Sequence, residues 1–306
     1  MEATIKLWEK PTAKENYLLA GWHQWADAGS ISSGLPQYLI EQTQARKISE
    51  IDPEGFYVFQ IPGTHHLLRP EVKLQGGYPR EIRTPKNELF YSGDEEKGLF
   101  IFLGDEPHMD VARYADTFFD IIEALQIKRV VALGGVYGSM PYNKDRDISC
   151  VYSLRPMRKE LTNYATRFSN YEGGATIGTY LVDRAEHHQV EFIVFYAFVP
   201  AYDFSQLTIL SQGLRIDNDY KAWYDLMRRV NYMFGLSIDL SDLEELSNDL
   251  RLSMDVKMAD LAHKVPQLDI NAYLAKIEED FTERPFMPLS DVWTQELGDL
   301  FEDMDE

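Results

Sequence analysis

Three segments of this chain are apolar at nearly every position: "GLFIFLG" (98–104), "RVVALGG" (129–135) and "EFIVFYAFVP" (191–200). A strand apolar on both faces has to be covered on both faces, a situation met in α/β folds rather than in open sandwiches. "YLLAGWH" (17–23) and "FYVFQI" (56–61) read as further strands. Helical patterns alternate with them: "SISSGLPQYLIEQ" follows the first, "ARYADTFFDIIEALQ" precedes Arg129, and "TIGTYLVDRAEHH" precedes Glu191. In the second, Tyr114, Phe118, Ile121, Ile122 and Leu125 fall at helical spacing and Asp110 is a suitable cap. This rhythm predicts an α/β fold, a three-layer α/β/α core. "LLRPEVKLQGGYPREIRTP" (67–85) places Gly76-Gly77 between two alternating runs and predicts a hairpin, so the sheet is expected to be mixed, though mostly parallel.

From about Asp217 the pattern turns wholly helical, which divides the chain into a core over 1–216 and a helical extension over 217–306. One helix ends near Gly235; Ser241 and Glu244 then form a capping box ahead of Leu243, Leu246, Leu250, Met254, Met258 and Leu261. Two shorter helices are expected over 269–281 and 290–304. Such a module cannot bury its apolar stripes alone, so it is expected to pack on the core or on a neighbouring subunit.

The formal charge is −20, and residues 239–306 hold 19 acidic against 5 basic side chains, leaving only −6 for all that precedes them. A field of that sign repels phosphate backbones and anionic lipid, so neither nucleic acid nor a membrane is an expected partner. No run approaches the roughly 20 apolar residues that cross a bilayer, and "MEATIKLWEKPTAKENY" lacks a signal-peptide core; a cytoplasmic location is expected. Cys150 is the only cysteine, which excludes an internal disulfide and a thiolate metal cage and suits a small buried residue.

Four segments follow apolar strands: "HQWADAGS", "GDEPHMD", "GGVYGSMPYNKDRD" and "PAYDFSQ". If those strands are parallel, the four loops line one crevice beyond the strand C-termini, where ligands of open α/β sheets sit. The first loop offers His23, Trp25 and Asp27 as a ligand floor; equally, Asp27 or Ser30 caps the next helix and Gly29 relieves a positive φ. Asp105, Glu106 and His108 suit acid and base work, but adjacent loop carboxylates also serve as caps and solvated charge. Tyr137 and Ser139 come from the third loop and Tyr202 from the fourth. "YEGGATIGTYL" (171–181) opens a helix, so Glu172, Gly173 and Gly174 are candidates for an anion site, with close packing of Gly173, Gly174 and Gly178 on a strand as the alternative.

Neither GxGxxG nor GxxxxGK[ST] occurs, and there is no GxSxG elbow or HExxH. The histidine pairs 65–66 and 187–188 point in different directions on a strand or a helix. No metal and no cofactor is expected. The loops contribute only Lys144 and Arg146 as cations, which disfavours strongly charged substrates.

Taken in order, "GWHQWADAGSISSG", "EIDPEGFYVFQ" (50–60), "LRPEV", "FLGDEPHM", "VVALGGVYGSMPYNKDRD" and "YEGGATIGTYL" resemble the proteasome assembly chaperone family of the second type, in its bacterial and archaeal branch. The resemblance covers nearly the whole chain, and 50–60 is its most specific part. It implies a core similar to the phosphorylase/hydrolase-like fold, a helical C-terminal extension, and self-association, often as small rings such as trimers. The eukaryotic member helps to assemble the proteasome α-ring as a heterodimer. "GWHQWADAG" replaces the family's common "GWNDAG", an insertion that sets His23, Gln24 and Trp25 at the crevice mouth. Proteasome-docking relatives end in a hydrophobic residue, a tyrosine and one more residue, whereas this chain ends Met304, Asp305, Glu306, which argues against docking through that tail.

Three readings follow. The first is a non-catalytic homo-oligomer, chaperone-like or a scaffold, that binds a protein client or a small ligand. The second is a phosphorylase- or hydrolase-like enzyme on a small metabolite, with Glu106 or His108 as general acid or base beside Asp105 and the amides of 173–178 holding an anion. In the third, the conspicuous loops, with Trp22, Trp25, Tyr137 and Tyr142, serve only self-association.

Overall fold

A computed structural model describes residues 5–60, 69–202, 214–266 and 269–287. The first half contains β1 (Ile5–Leu7), β2 (Glu15–His23), α1 (Gly34–Gln42), β3 (Arg46–Ile51), β4 (Glu71–Gln75), β5 (Tyr78–Arg83), β6 (Asn87–Gly93), β7 (Lys97–Asp105) and α2 (Val111–Ala124). The second contains β8 (Arg129–Gly138), β9 (Ile148–Tyr152), α3 (Met157–Leu161), β10 (Arg167–Phe168), α4 (Ile177–His188), β11 (Glu191–Tyr202), β12 (Leu214–Arg215), α5 (Tyr220–Phe234), α6 (Ser241–Lys264) and α7 (Ile270–Asp280).

The sheet runs β1-β3-β6-β7-β2-β8-β11-β9-β10, with β12 on the end of β11. Its centre is parallel, β7 to β2 to β8 to β11, and antiparallel strands flank it on both sides. The apolar runs that predicted a covered sheet occupy that centre. Their alternation sorts side chains between two layers. Tyr17, Leu19, Ile101, Val131, Leu133, Ile193 and Phe195 face α1, α5 and α6. Leu18, Ala20, Trp22, Phe100, Phe102, Val130, Ala132, Phe192 and Val194 face α2 and α4. The three-layer expectation is met.

The chain beyond 217 shares a hydrophobic core with the sheet: Trp223, Leu226, Met227 and Val230 of α5 and Leu243, Met254 and Met258 of α6 are buried with the strands. Asp219 caps α5 by accepting from Ala222 N at 3.1 Å, and Gly235, at φ 58°, ends it in the left-handed region as the sequence suggests. Lys97 donates to the carbonyls of Phe234 and Gly235, both at 2.8 Å, placing a cation at the negative end of the helix dipole.

The predicted hairpin is β4–β5. Gly76 and Gly77 have φ 57° and 81°, the backbone a tight mirror-image turn demands at both central positions.

Several expectations are corrected. Residues 56–60 form no strand: Phe56 is buried in a loop whose carbonyl accepts from His108 N and Met109 N at 2.8 and 3.1 Å, so the apolar pattern serves a pinned turn. Asp110 is not a capping side chain; it sits at φ 50° and pairs instead with Arg113 Nε at 2.6 Å. The capping box fails because Ser241 is already the first residue of α6 and its hydroxyl donates to Asp239 Oδ1 at 2.7 Å. Strands β3, β6 and β9, short and partly polar, were not expected. The helix expected over 290–304 lies outside the described residues, as do His65 and His66.

Candidate functional site

Because β2, β7, β8 and β11 are parallel, their C-terminal ends form one rim, and backbone bonds tie the loops after β7 and β2 to the neighbouring strands β2 and β8. Glu106 N donates to His23 O at 3.0 Å, and Gly135 N donates to Ala26 O at 2.8 Å. Gly135 leaves room for this approach, since a Cβ there would lie 2.0 Å from the Ala28 carbonyl oxygen. At the end of β11, Tyr202 is buried and its hydroxyl donates to Met140 O at 2.7 Å, tying the fourth strand to the third loop.

The acids of the rim are engaged by backbone amides. Glu106 accepts from Ile177 N at 2.9 Å through Oε1 and from Trp25 N at 3.3 Å through Oε2, so one carboxylate joins the first loop to the N-terminus of α4. Thr176 caps the same helix, accepting from Thr179 N at 3.2 Å. The anion position expected at this helix end is therefore filled by the protein's own carboxylate. Asp105 accepts from Lys86 N at 2.8 Å. Asp27 Oδ1 accepts from Ser32 N and Ser33 N at 2.8 and 3.0 Å, and its Oδ2 accepts from the Ser33 hydroxyl at 2.6 Å. Burial nonetheless raises the Asp27 pKa above the usual aspartate value, with those serine bonds opposing it. Asp27 is thus the helix-entry ligand that the sequence allowed, and Gly29, at φ 64°, relieves the turn beside it.

A cleft of about 550 Å³ opens between this rim and the β4–β5 hairpin. His23, Trp25, Asp27, Asp105, Glu106 and His108 line one wall; Arg69, Glu71 and Arg83 line the other. His23 is reached by solvent but stands against that wall; its pKa is lowered, first by desolvation and also by Arg83, while Asp105 and Asp27 pull it upward. His108 accepts from Val58 N at 3.3 Å through Nδ1 and stands edge-on to Tyr57, so it is a tethered ring. Trp25 projects from the rim, 70% exposed.

Six of the candidates thus converge and six do not. Tyr137, near the C-terminal end of β8, and Ser139, just beyond it, are exposed, and Arg215 stacks on the Tyr137 ring. Glu172, Gly173 and Gly174 are exposed before α4 and line no part of the cleft. Of the glycines, only Gly178 packs on the sheet, where a Cβ would meet Val194 at 3.4 Å. Tyr202 is core. Trp22, grouped by sequence with interface aromatics, is buried, and Tyr142 bonds Asp255 of α6 in its own chain at 2.7 Å. Arg146, one of the two loop cations, is buried against Asp219 at 2.8 Å.

Sequence reasoning missed the polar support beneath the cleft. Trp22 Nε1 donates to the Tyr114 hydroxyl at 2.9 Å, the Tyr114 and Tyr57 hydroxyls donate to Asn87 Oδ1 at 3.0 and 2.9 Å, and Tyr57 also reaches Asp105 O at 2.7 Å. Only the polar Asn87 opening an otherwise alternating strand signalled it. The hairpin arginines were visible as basic residues in an acidic chain, but nothing local says that the hairpin folds over the rim. Among the described residues, no group of three or more His, Cys, Asp or Glu is placed to hold a metal ion, and no helix is long and apolar enough to cross a membrane.

A mixed sheet with a parallel centre, helices on both faces and C-terminal helices on one of them defines the class. The PAC2 family model matches residues 22–256, and the chain belongs to that family. A PAC2 family protein from Streptomyces avermitilis superposes with a TM-score of 0.66 at 23% identity, over 79% of this chain and 95% of that one. A proteasome-assembly chaperone homologue from Mycobacterium tuberculosis gives 0.66 at 21% identity, over 78% and 94%. PbaB of Pyrococcus furiosus, an archaeal proteasome activator, gives 0.57 at 18% identity, over 83% and 98%. At these identities the likeness is one of fold. A comparison with curated proteins returns no match.

Proposed function

We propose that the protein is a non-catalytic, self-associating chaperone-like or scaffold factor that binds partner proteins. One observation carries this reading: Glu106, the best placed acid of the rim, bonds two backbone amides. A carboxylate whose two oxygens each accept from a backbone amide is already engaged in holding loops together, a poor arrangement for moving a proton to or from a substrate. Family membership and the structural relatives, among them an assembly chaperone homologue and a proteasome activator, support the same class of role. On this reading residues 1–216 are the core, 217–306 an acidic extension of it, and the cytoplasm its place of work.

The test is to incubate the purified protein with nucleosides and inorganic phosphate and with small ester and amide substrates, following products by chromatography. No turnover is expected. Turnover that disappears in His108→Ala at unchanged melting temperature would overturn the proposal. Affinity capture of the tagged full-length chain should recover a defined partner in fixed stoichiometry.

The cleft favours a second reading, a small-ligand site, because Arg69 and Arg83 face His23 and the rim acids across it. Ligand binding there should be lost in Arg83→Ala and retained in Tyr137→Ala, as read by calorimetry against a metabolite panel.

A further inference from the structure

The β4–β5 hairpin is amphipathic, and it faces the wrong way for a monomer. Directly opposed residues share a face of a ribbon, and the register pairs Val72 with Ile82 and Glu71 with Arg83. Glu71, Glu81 and Arg83 line the clefts on the side of the rim. Val72, Leu74 and Ile82 are turned to water at 51%, 63% and 58% exposure. An isolated two-stranded ribbon is marginal in water and normally turns its apolar face to a core. Here all residues of both strands are exposed, the charged face looking onto the rim clefts and the apolar face left bare.

A matching surface lies on α6. Its inner face buries Leu243, Met254 and Met258. Its outer face carries Glu245, Asp249, Leu252, Val256 and Asp260 at steps of three and four, with Leu252 and Val256 at 53% and 69% exposure. Charge completes the match. The hairpin segment 69–86 holds five basic and two acidic residues in a chain of net charge −20, whereas α6 holds six acidic and three basic. Both apolar patches are exposed in the single chain, so neither covers the other.

We infer that the hairpin of one copy docks through Val72, Leu74 and Ile82 on the outer face of α6 of a second copy, across Leu252 and Val256. This deepens the self-association of the proposed function and rests on it. The two surfaces differ, so the contact is head-to-tail, and successive copies either close into a ring or extend into a filament.

Native mass spectrometry and light scattering of the full-length chain test it with two variants, Val72→Glu/Ile82→Glu on the hairpin and Leu252→Glu/Val256→Glu on the helix. All four positions are exposed, so circular dichroism and melting temperature should match wild type. Each variant alone should weaken assembly about tenfold or more, because it places charge where the contact buries one apolar patch against another. Mixed in equal amounts they should form a one-to-one heterodimer, since each retains the surface the other has lost. A monomeric wild type would overturn both self-association and this contact. An oligomeric wild type whose assembly survives either variant, or a mixture that stays monomeric, would overturn the contact alone.

Discussion

A carboxylate that accepts from amides 71 and 81 positions away is a clip between loops, and Glu106 is placed as one. Glu106→Ala leaves the amides of Trp25 and Ile177 without that partner and should cost about 1–3 kcal/mol in urea unfolding, whereas Glu106→Gln keeps one acceptor and should cost less. His23 gives the rim a pH dependence. Its folded pKa lies below the ordinary histidine value of about 6.5, so the unfolded chain takes up the proton first; its contribution is present above that value and is lost as pH falls through it. Thermal melts between pH 8 and 5 should therefore fall less steeply for His23→Gln than for wild type. The residue types of the rim were legible in "HQWADAGS" and "GDEPHMD", down to Asp27 as the entry ligand of a turn. Which amides occupy the carboxylates was not, because Ile177 and Lys86 reach them only through the fold.

Between elements, the junction that matters most is the loop after β8 with the N-terminus of α5. Arg146 Nε and Nη2 donate to Asp219 at 2.8 and 3.0 Å, and both side chains are almost wholly buried. Removing one partner of such a pair strands the other charge. Asp219→Ala, which also removes the cap, should cost about 3–5 kcal/mol in guanidinium unfolding, and Arg146→Met/Asp219→Leu should recover part of that. In the hairpin, valine at Gly76 and Gly77 would need a left-handed backbone, at about 1–2 kcal/mol each. Amide exchange over 71–83 should then quicken while the global melt stays put. The Gly-Gly turn and the continuous apolar runs were legible because φ sign and period are local properties. "FYVFQI" has the composition of a strand, yet its carbonyls and rings are claimed by the His108 loop and by Asn87, and local pattern carries no record of competing partners.

For the whole molecule, the sheet and the helices beyond Asp217 share one core, so they should unfold in a single transition by calorimetry and circular dichroism. A chain ending at residue 216 strips Trp223, Leu226, Met227 and Val230 from the sheet. At about 1.5–3 kcal/mol for each buried apolar side chain, that loss should leave a fragment that aggregates or binds hydrophobic dyes. The amino-acid sequence by itself determined the layered α/β class, the parallel centre of the sheet, the hairpin and the acidic end, since each follows from side-chain period, backbone freedom or charge along a short stretch. Tertiary structure alone decided that the rim carboxylates hold amides, that Tyr202 and Trp22 are core, and that the hairpin shows its apolar face to water. Those outcomes depend on which distant segments compete for the same donor, acceptor or surface, and that competition is settled only when the strands are assembled.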